Sequence, residues 1–189
     1  MFACQLDDHV ALRLMSLTDA EESSAVVTRN LAHLAPWMPW ATAEGASPEG
    51  QRAFLTSALA GWSRCERLES WLTYDGAIIG AVGLPAIHRA EQWAEAGYWI
   101  DRDYEGRGYV TAGVRALERI VFVDLGLERI QICQDAANAR SRAIPERLGY
   151  TLEGVLRRHT VSGAEGRHAD HSIYGLLKPE WEARVALEG

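Results

Sequence analysis

Gly106 and Gly108 flank Arg107 in the stretch YEGRGYVTAGV (104–114), and the spacing points to anion chemistry. Glycine lacks a Cβ, so a ligand can reach the main chain directly. A helix that begins just after such a loop turns unpaired N–H groups and the positive end of its dipole back on it. Together these make an anion site, most often one for phosphate. Two common phosphate motifs fail. The dinucleotide fingerprint needs a third glycine where Thr111 stands, and the P-loop needs a lysine where Val114 stands. A plain chain-reversing turn is the competing reading. A strand before the loop, a helix after it and Thr111 in that helix's first turn weigh against it. Further on, Asn138 and Ser141 are three residues apart, so both side chains can line one groove.

Several elements must position these groups. Val10 to Met15 reads as a first strand, and Thr18 with Glu21 as a capping box opening a helix to about Asn30. Residues 31–47 carry two prolines, Trp37 and Trp40 without a period, which predicts a loop with at most a short helical turn. Ser47-Pro48-Glu49 is a strong helix start, for a helix running to about Arg67. Asp75-Gly76 joins strands at 69–74 and 77–84 as a hairpin. A strand over 92–100 leads into the glycine loop, and apolar residues at 110, 114, 117, 120 and 121 predict an amphipathic helix from Tyr109 to about Asp124. Arg129 to Cys133 is a strand and Ala139 to Arg147 a short helix, despite Pro145. A hairpin over 150–161 and 168–177 closes the chain around SGAEG. The order predicts one α/β domain with a mixed sheet over residues 1–189.

The chain has 19 basic and 26 acidic side chains and a net charge of −7. That argues against a nucleic-acid-binding face and mildly favours cationic partners such as amines. Arg102, Arg107, Arg140 and Arg142 nonetheless gather around the glycine loop and the Asn138 segment, as a polyanionic cofactor would require. No stretch is apolar for the ~20 residues a membrane span needs, and residues 1–20 have no basic leader. Cys4, Cys65 and Cys133 lack metal spacing and read as reduced, mostly buried thiols of a cytoplasmic protein. No metal is expected. Trp62, Trp71 and Trp99 read as core.

The run from AEAGYWIDRDYEGRGYVTAGV through QDAANARSRAIPERLGYTLEG resembles the core of a GNAT-superfamily acetyltransferase of the RimJ/RimL type. Four pieces match in order and separation: GYWI, GRGYVT, NARS and RLGYTLEG. The resemblance implies a mixed sheet of about six to seven strands, about four flanking helices, and a V-shaped split that takes acetyl-CoA. It places the pantetheine arm along Tyr98, Trp99 and Ile100. The pyrophosphate falls on main-chain N–H groups of Glu105, Gly106, Arg107, Gly108, Tyr109, Val110 and Thr111. Asn138 lies on the pantetheine and Ser141 near the sulfur. The family pattern usually has Gln or Arg where Glu105 stands, and Gly or Ala where Val110 stands. Glu105 is therefore expected to point outward, with Arg107 or Arg102 supplying charge.

Acetyl transfer needs a neutral amine, a held oxyanion and a protonated leaving sulfur. A peptide α-amine, with a pKa of about 7.7–8.0, is partly neutral at cellular pH, whereas lysine near ~10.4 needs more help. Ser141 is the first candidate for the acid. Glu95, acting through water, is the family-like base; an exposed strand carboxylate is the plainer account of it. Some RimL-type enzymes are thought to use a glutamate after LEG; here VLRRHT offers only His159. Trp37 and Trp40 fall where the fold walls the acceptor site, or else they pack the loop down. The reading is an N-acetyltransferase acting on a protein or peptide N-terminus. A small amine (an antibiotic, polyamine, amino-acid or nucleotide-peptide derivative) is the nearest alternative, and a CoA-binding module without turnover the one from another class. Monomer and homodimer are both left open.

Overall fold

The computed structural model describes residues 3–188. Its strands are β1 (Ala3–Gln5), β2 (Val10–Leu14), β3 (Leu68–Tyr74), β4 (Ala77–His88), β5 (Trp93–Ile100), β6 (Arg129–Asp135), β7 (Thr151–Ser162) and β8 (Arg167–Leu177). They form one sheet in the order β1-β2-β3-β4-β5-β6-β8-β7. Every pairing is antiparallel except β5 with β6. That parallel pair is joined through a helix, as the geometry of a parallel connection demands. Asp75 and Gly76 both have positive φ (47° and 84°), the mirror-image turn that the Asp-Gly pair predicts.

The helices are α1 (Ala20–Arg29), α2 (Leu31–Leu34), α3 (Ala43–Ala46), α4 (Pro48–Ser63), α5 (Tyr109–Arg119), α6 (Ala139–Arg147) and α7 (Lys178–Glu188). On one sheet face, Val26 and Leu55 of α1 and α4 close over Trp71, Ile78 and Ala81. On the other, Val110, Val114 and Leu117 of α5 cover Leu72, Val82, Ala94 and Ile130. Each face of the sheet thus buries its own apolar set, which fixes the register of the strands.

The chain departs from its sequence-based reading in several places. Eight strands replace six to seven because β1 adds a three-residue edge to β2. The additional helices are α2 and α3, single turns within 31–47, and α7. Lys178-Pro179-Glu180 is the start signal for α7: the Glu180 carboxylate accepts from the Leu177 N–H at 2.9 Å, and the Trp181 ring packs at a tilt against Phe122. The capping box is Ser16 with Asp19, not Thr18 with Glu21. Asp19 is buried and also takes Arg13 (3.0 Å) and the Trp71 indole N–H (2.9 Å), so its tertiary partners decide the helix start. The amphipathic helix after the glycine loop widens into a π-helical turn over Ile120–Asp124. Trp62 is 40% exposed rather than core. Of the three free thiols, Cys65 is exposed and the other two are only half-buried.

Candidate active site

β5 and β6 pair from Trp93↔Arg129 to Ala96↔Ile132, and no further. Beyond that point β5 stays bonded to β4 through Ile100, while β6 stays bonded to β8 through Asp135. The strands part in a V, and the β5 edge from Gly97 to Ile100 is left without a neighbouring strand. A bulge in β4 between Gly83 and Ala86 bends the sheet where the V opens. Ala81 and Gly97 give the opening a floor without bulky side chains, and a cavity of about 680 Å³ lies over it. That size suits a small-molecule or peptide-end site.

The glycine loop closes one end of the V. Gly106 and Gly108 have φ of 73° and 82°, the left-handed region, and the space a Cβ would enter is open at both. Gly108 caps α5, with the Ala112 N–H donating to its carbonyl at 2.9 Å. The N–H groups of the first turn therefore face the loop. Asp101 anchors the loop from behind. It accepts from Arg29 (2.6 Å) and from the Asp103 N–H (3.2 Å). Burial raises the Asp101 carboxyl, but Arg29 and these donors together hold it below the ordinary carboxylate value. The Arg102 N–H donates to the buried Asn30 at the end of α1.

Glu105 does not point outward. It pairs with Arg140 of α6 (2.9 Å) and His33 of α2 (3.3 Å), bridging the two sides of the mouth. Arg107 folds back over the Tyr104 ring and donates to the Asp103 carbonyl (3.0 Å). Arg102 is exposed. Arg147 of α6 reaches Thr111 at 3.3 Å. Arg140 and Arg147, one from each end of α6, thus both reach side chains of the loop, and only the first was singled out in the sequence.

At the vertex, Asn138 caps α6, its side chain accepting from the Ser141 N–H at 3.1 Å. The Tyr98 hydroxyl donates to the Ser141 carbonyl at 3.0 Å. Burial lifts the Tyr98 hydroxyl far above the ordinary tyrosine value, so it remains a donor. Gln134 is oriented with its amide nitrogen towards Ser141, donating to Oγ at 2.6 Å, while its oxygen accepts from the Arg142 N–H. The Ser141 hydroxyl then accepts from Gln134 and gives its own hydrogen to the Tyr98 oxygen at 3.3 Å. Tyr98 belongs to the GYWI stretch expected along the pantetheine arm, whereas Gln134 carries no motif; the parting of the strands brings both to Ser141.

One wall of the cavity is aromatic. Trp37 and Trp40 both line the cavity, with Trp40 41% exposed. Trp40, Trp99 and Trp71 follow one another with ring centroids 6.1 and 6.4 Å apart. The β7–β8 turn holds the Trp37 segment in place: the Ala164 N–H donates to the Ala35 carbonyl at 2.7 Å. Glu69 lines the same wall. Burial raises its carboxyl, and Arg67, at 2.7 Å, pulls it back.

Glu95 lines the cavity and accepts from the Gln131 amide at 3.0 Å. Cys133 lies next to it, its thiol pushed up to about 12 by burial and by Glu95. His159 is not in the cavity wall. A bulge in β7 between Leu156 and Thr160 lifts it into a hollow it shares with Arg157, Arg158 and Asp170. His171 of β8 takes the place in the wall, with its ring stacked on His159 at 5.7 Å. Among the described residues, no group of His, Cys, Asp and Glu could hold a metal ion.

The family model for the acetyltransferase (GNAT) domain matches residues 9–151. The chain belongs to that family. The Bacillus subtilis protein YdaF, named as a candidate ribosomal N-acetyltransferase, is 34% identical over 186 residues, which span 96% of this chain and 98% of that protein. The microcin C7 self-immunity acetyltransferase MccE, solved with acetyl-CoA and AMP, is 26% identical with a TM-score of 0.84, covering 91% and 94% of the two chains. RimL, an acetyltransferase of ribosomal L7/L12 solved with coenzyme A, shares the fold at a TM-score of 0.87 and 20% identity, covering 95% and 99%. The sheet, the split and the helix after the glycine loop are those of a GNAT enzyme. No helix among the described residues is long and apolar enough to cross a membrane.

Proposed function

We propose that this chain uses acetyl-CoA to acetylate the α-amine of a protein or peptide N-terminus. One observation carries the donor side: the β5 edge from Gly97 to Ile100 lacks a strand partner and runs from the cavity to the loop that starts α5. A pantetheine arm, extended and rich in amides, can add to such an edge as a further strand does. In this reading Tyr98, Trp99 and Ile100 pair with the arm, and the main chain from Glu105 to Thr111 receives the pyrophosphate. Asn138 and Ser141 meet the end that bears sulfur. The bound donor supplies an activated acetyl thioester.

The chain's own part is orientation and proton handling. A main-chain N–H of the β5 edge can hold the oxyanion as it develops. Ser141, with its oxygen already occupied by Gln134, gives its hydrogen to the leaving sulfur. Trp37 and Trp40 line the approach of the acceptor. The relation to YdaF supports a ribosomal protein as acceptor. The Trp40–Trp99–Trp71 series favours a second reading, in which a flat aromatic group on a small amine stacks there, as an aminoacyl nucleotide would offer. A competition screen tests this: acetyl-CoA, the pure enzyme, peptides with free N-termini, spermidine, amine antibiotics and aminoacyl-nucleotide analogues, read by mass spectrometry. Preferred acetylation of peptides is expected. Preference for the nucleotide analogue would move the acceptor to the second reading, and no turnover with any of them would leave a binding module.

A further inference from the structure

We propose that His171 is the base that takes the proton from the acceptor amine; this rests on the N-acetyltransferase reading above. Its place in the sheet carries the argument. β8 pairs with β6 on the far side of the V, and His171 stands directly opposite Asp135, the last paired residue of β6. It therefore looks into the cavity from the side facing the β5 edge, along with Ser141 and Cys133.

The other titratable side chains of this wall are engaged. Glu69 holds Arg67, Asp135 holds Arg167, Glu95 accepts from Gln131, and Tyr98 is bound to Ser141. Cys133 accepts from Gln131, and its thiol stays protonated. Among the described residues, His171 is the titratable group of the wall with neither a hydrogen bond nor an ion pair of its own. A neutral imidazole always keeps one nitrogen unprotonated, able to accept.

The surroundings favour that neutral form. Burial lowers the His171 value below the ordinary 6.5, and the stacked His159 adds to this. Glu95 from β5 and Asp135 from β6 oppose it, the latter partly offset by its Arg167 partner. The net direction is downward, which favours the neutral ring. His159 then has a role that the β7 bulge explains: it backs the base and does not enter the cavity.

The proton balance is complete. The amine nitrogen forms a bond to the thioester carbon and gives one proton to His171, while the C–S bond breaks and the sulfur takes one proton through Ser141. His171 returns its proton to solvent, from which the Ser141 hydroxyl is replenished. No further reactant is needed.

The test uses the full chain, acetyl-CoA and a hexapeptide with a free N-terminal serine. H171Q is expected to lower kcat about 10²-fold, with acetyl-CoA affinity by calorimetry within twofold of native. The native acidic limb of kcat/KM should lose two protons, one from the amine and one from His171, and the H171Q limb only one. A native-like kcat in H171Q, or a fall matched by lost acetyl-CoA affinity, would overturn the assignment. If H171Q does not fold, the native profile alone decides: a single-proton limb below pH 6.5 removes His171. Absence of native turnover with peptide and small amines alike overturns the enzyme reading and this inference with it.

Discussion

The Tyr98 hydroxyl donates to the carbonyl oxygen of Ser141 across the opening, at 3.0 Å. The bond ties the free-edged end of β5 to the first turn of α6, the two elements that the parting of β5 and β6 would otherwise leave independent. Tyr98→Phe should therefore act on catalysis more than on folding. Loss of one hydrogen bond costs about 0.5–1.5 kcal/mol of stability. A fall in kcat of roughly tenfold is expected beyond it, because the serine loses its fixed position. Melting curves and steady-state kinetics on the same preparation check this; unchanged kcat would mean that α6 is held in place without the tyrosine.

Ser141→Ala removes the hydrogen proposed for the leaving sulfur and leaves the cap intact, since Asn138 bonds the Ser141 main-chain N–H. Acetyl-CoA should bind nearly as tightly as before while kcat drops, the pattern of an interaction made only in the transition state. Full turnover would take Ser141 out of the mechanism.

Gly108→Val introduces a β-branched residue at φ 82°. The space around the glycine is open, so the cost comes from backbone strain of about 1–3 kcal/mol and from reshaping the start of α5. Acetyl-CoA affinity is expected to fall at least tenfold by calorimetry, in a variant that still melts cooperatively. Native affinity would place the pyrophosphate elsewhere.

Trp40→Ala and Trp37→Ala should raise the KM of the acceptor more than that of acetyl-CoA, because both side chains line the cavity on the path proposed for the acceptor. Trp40, being the more exposed, should show this with little change in stability. A loss of stability with both KM values unchanged would make the pair packing residues.

Asp101→Asn tests the anchor behind the glycine loop. The Asp101 carboxyl lies below its unfolded value of about 3.9. Its contribution is therefore present above that pH and is lost as pH falls through the lower, folded value. The variant should be less stable than native at pH 7 by about 1–3 kcal/mol, and the gap should close below pH 4. A gap that is the same at pH 7 and pH 3, in urea titrations, would mean that the charge contributes nothing.

The elements around the site were legible where their signals are local. Asp75-Gly76, Ser47-Pro48-Glu49 and the glycine loop each demand a particular backbone, and each appears where its residues require it. The placing of Ser141 beside Asn138 was legible for the same reason. What could not be read depends on pairing across the sheet. Tyr98 and Gln134 meet Ser141 only because β5 and β6 part, and no spacing announces where two strands separate. His171, not His159, lines the cavity because a bulge in β7 breaks the two-residue period on which a strand reading relies. Glu105 was misjudged because Arg140 lies 35 residues away and is brought near only by the turn of α6 towards the loop.

The central claim is transfer of acetyl to an α-amine, and one peptide tests it most directly: a hexapeptide with a free N-terminal serine and an internal lysine. Incubated with acetyl-CoA and the full chain at pH 7.5 (roughly the α-amine pKa), it is then sequenced by tandem mass spectrometry. The account predicts a single acetyl group on the N-terminal nitrogen, with one free CoA thiol released for each acetyl gained. Acetyl found on the lysine nitrogen, or thiol released while the peptide stays unmodified, would contradict it.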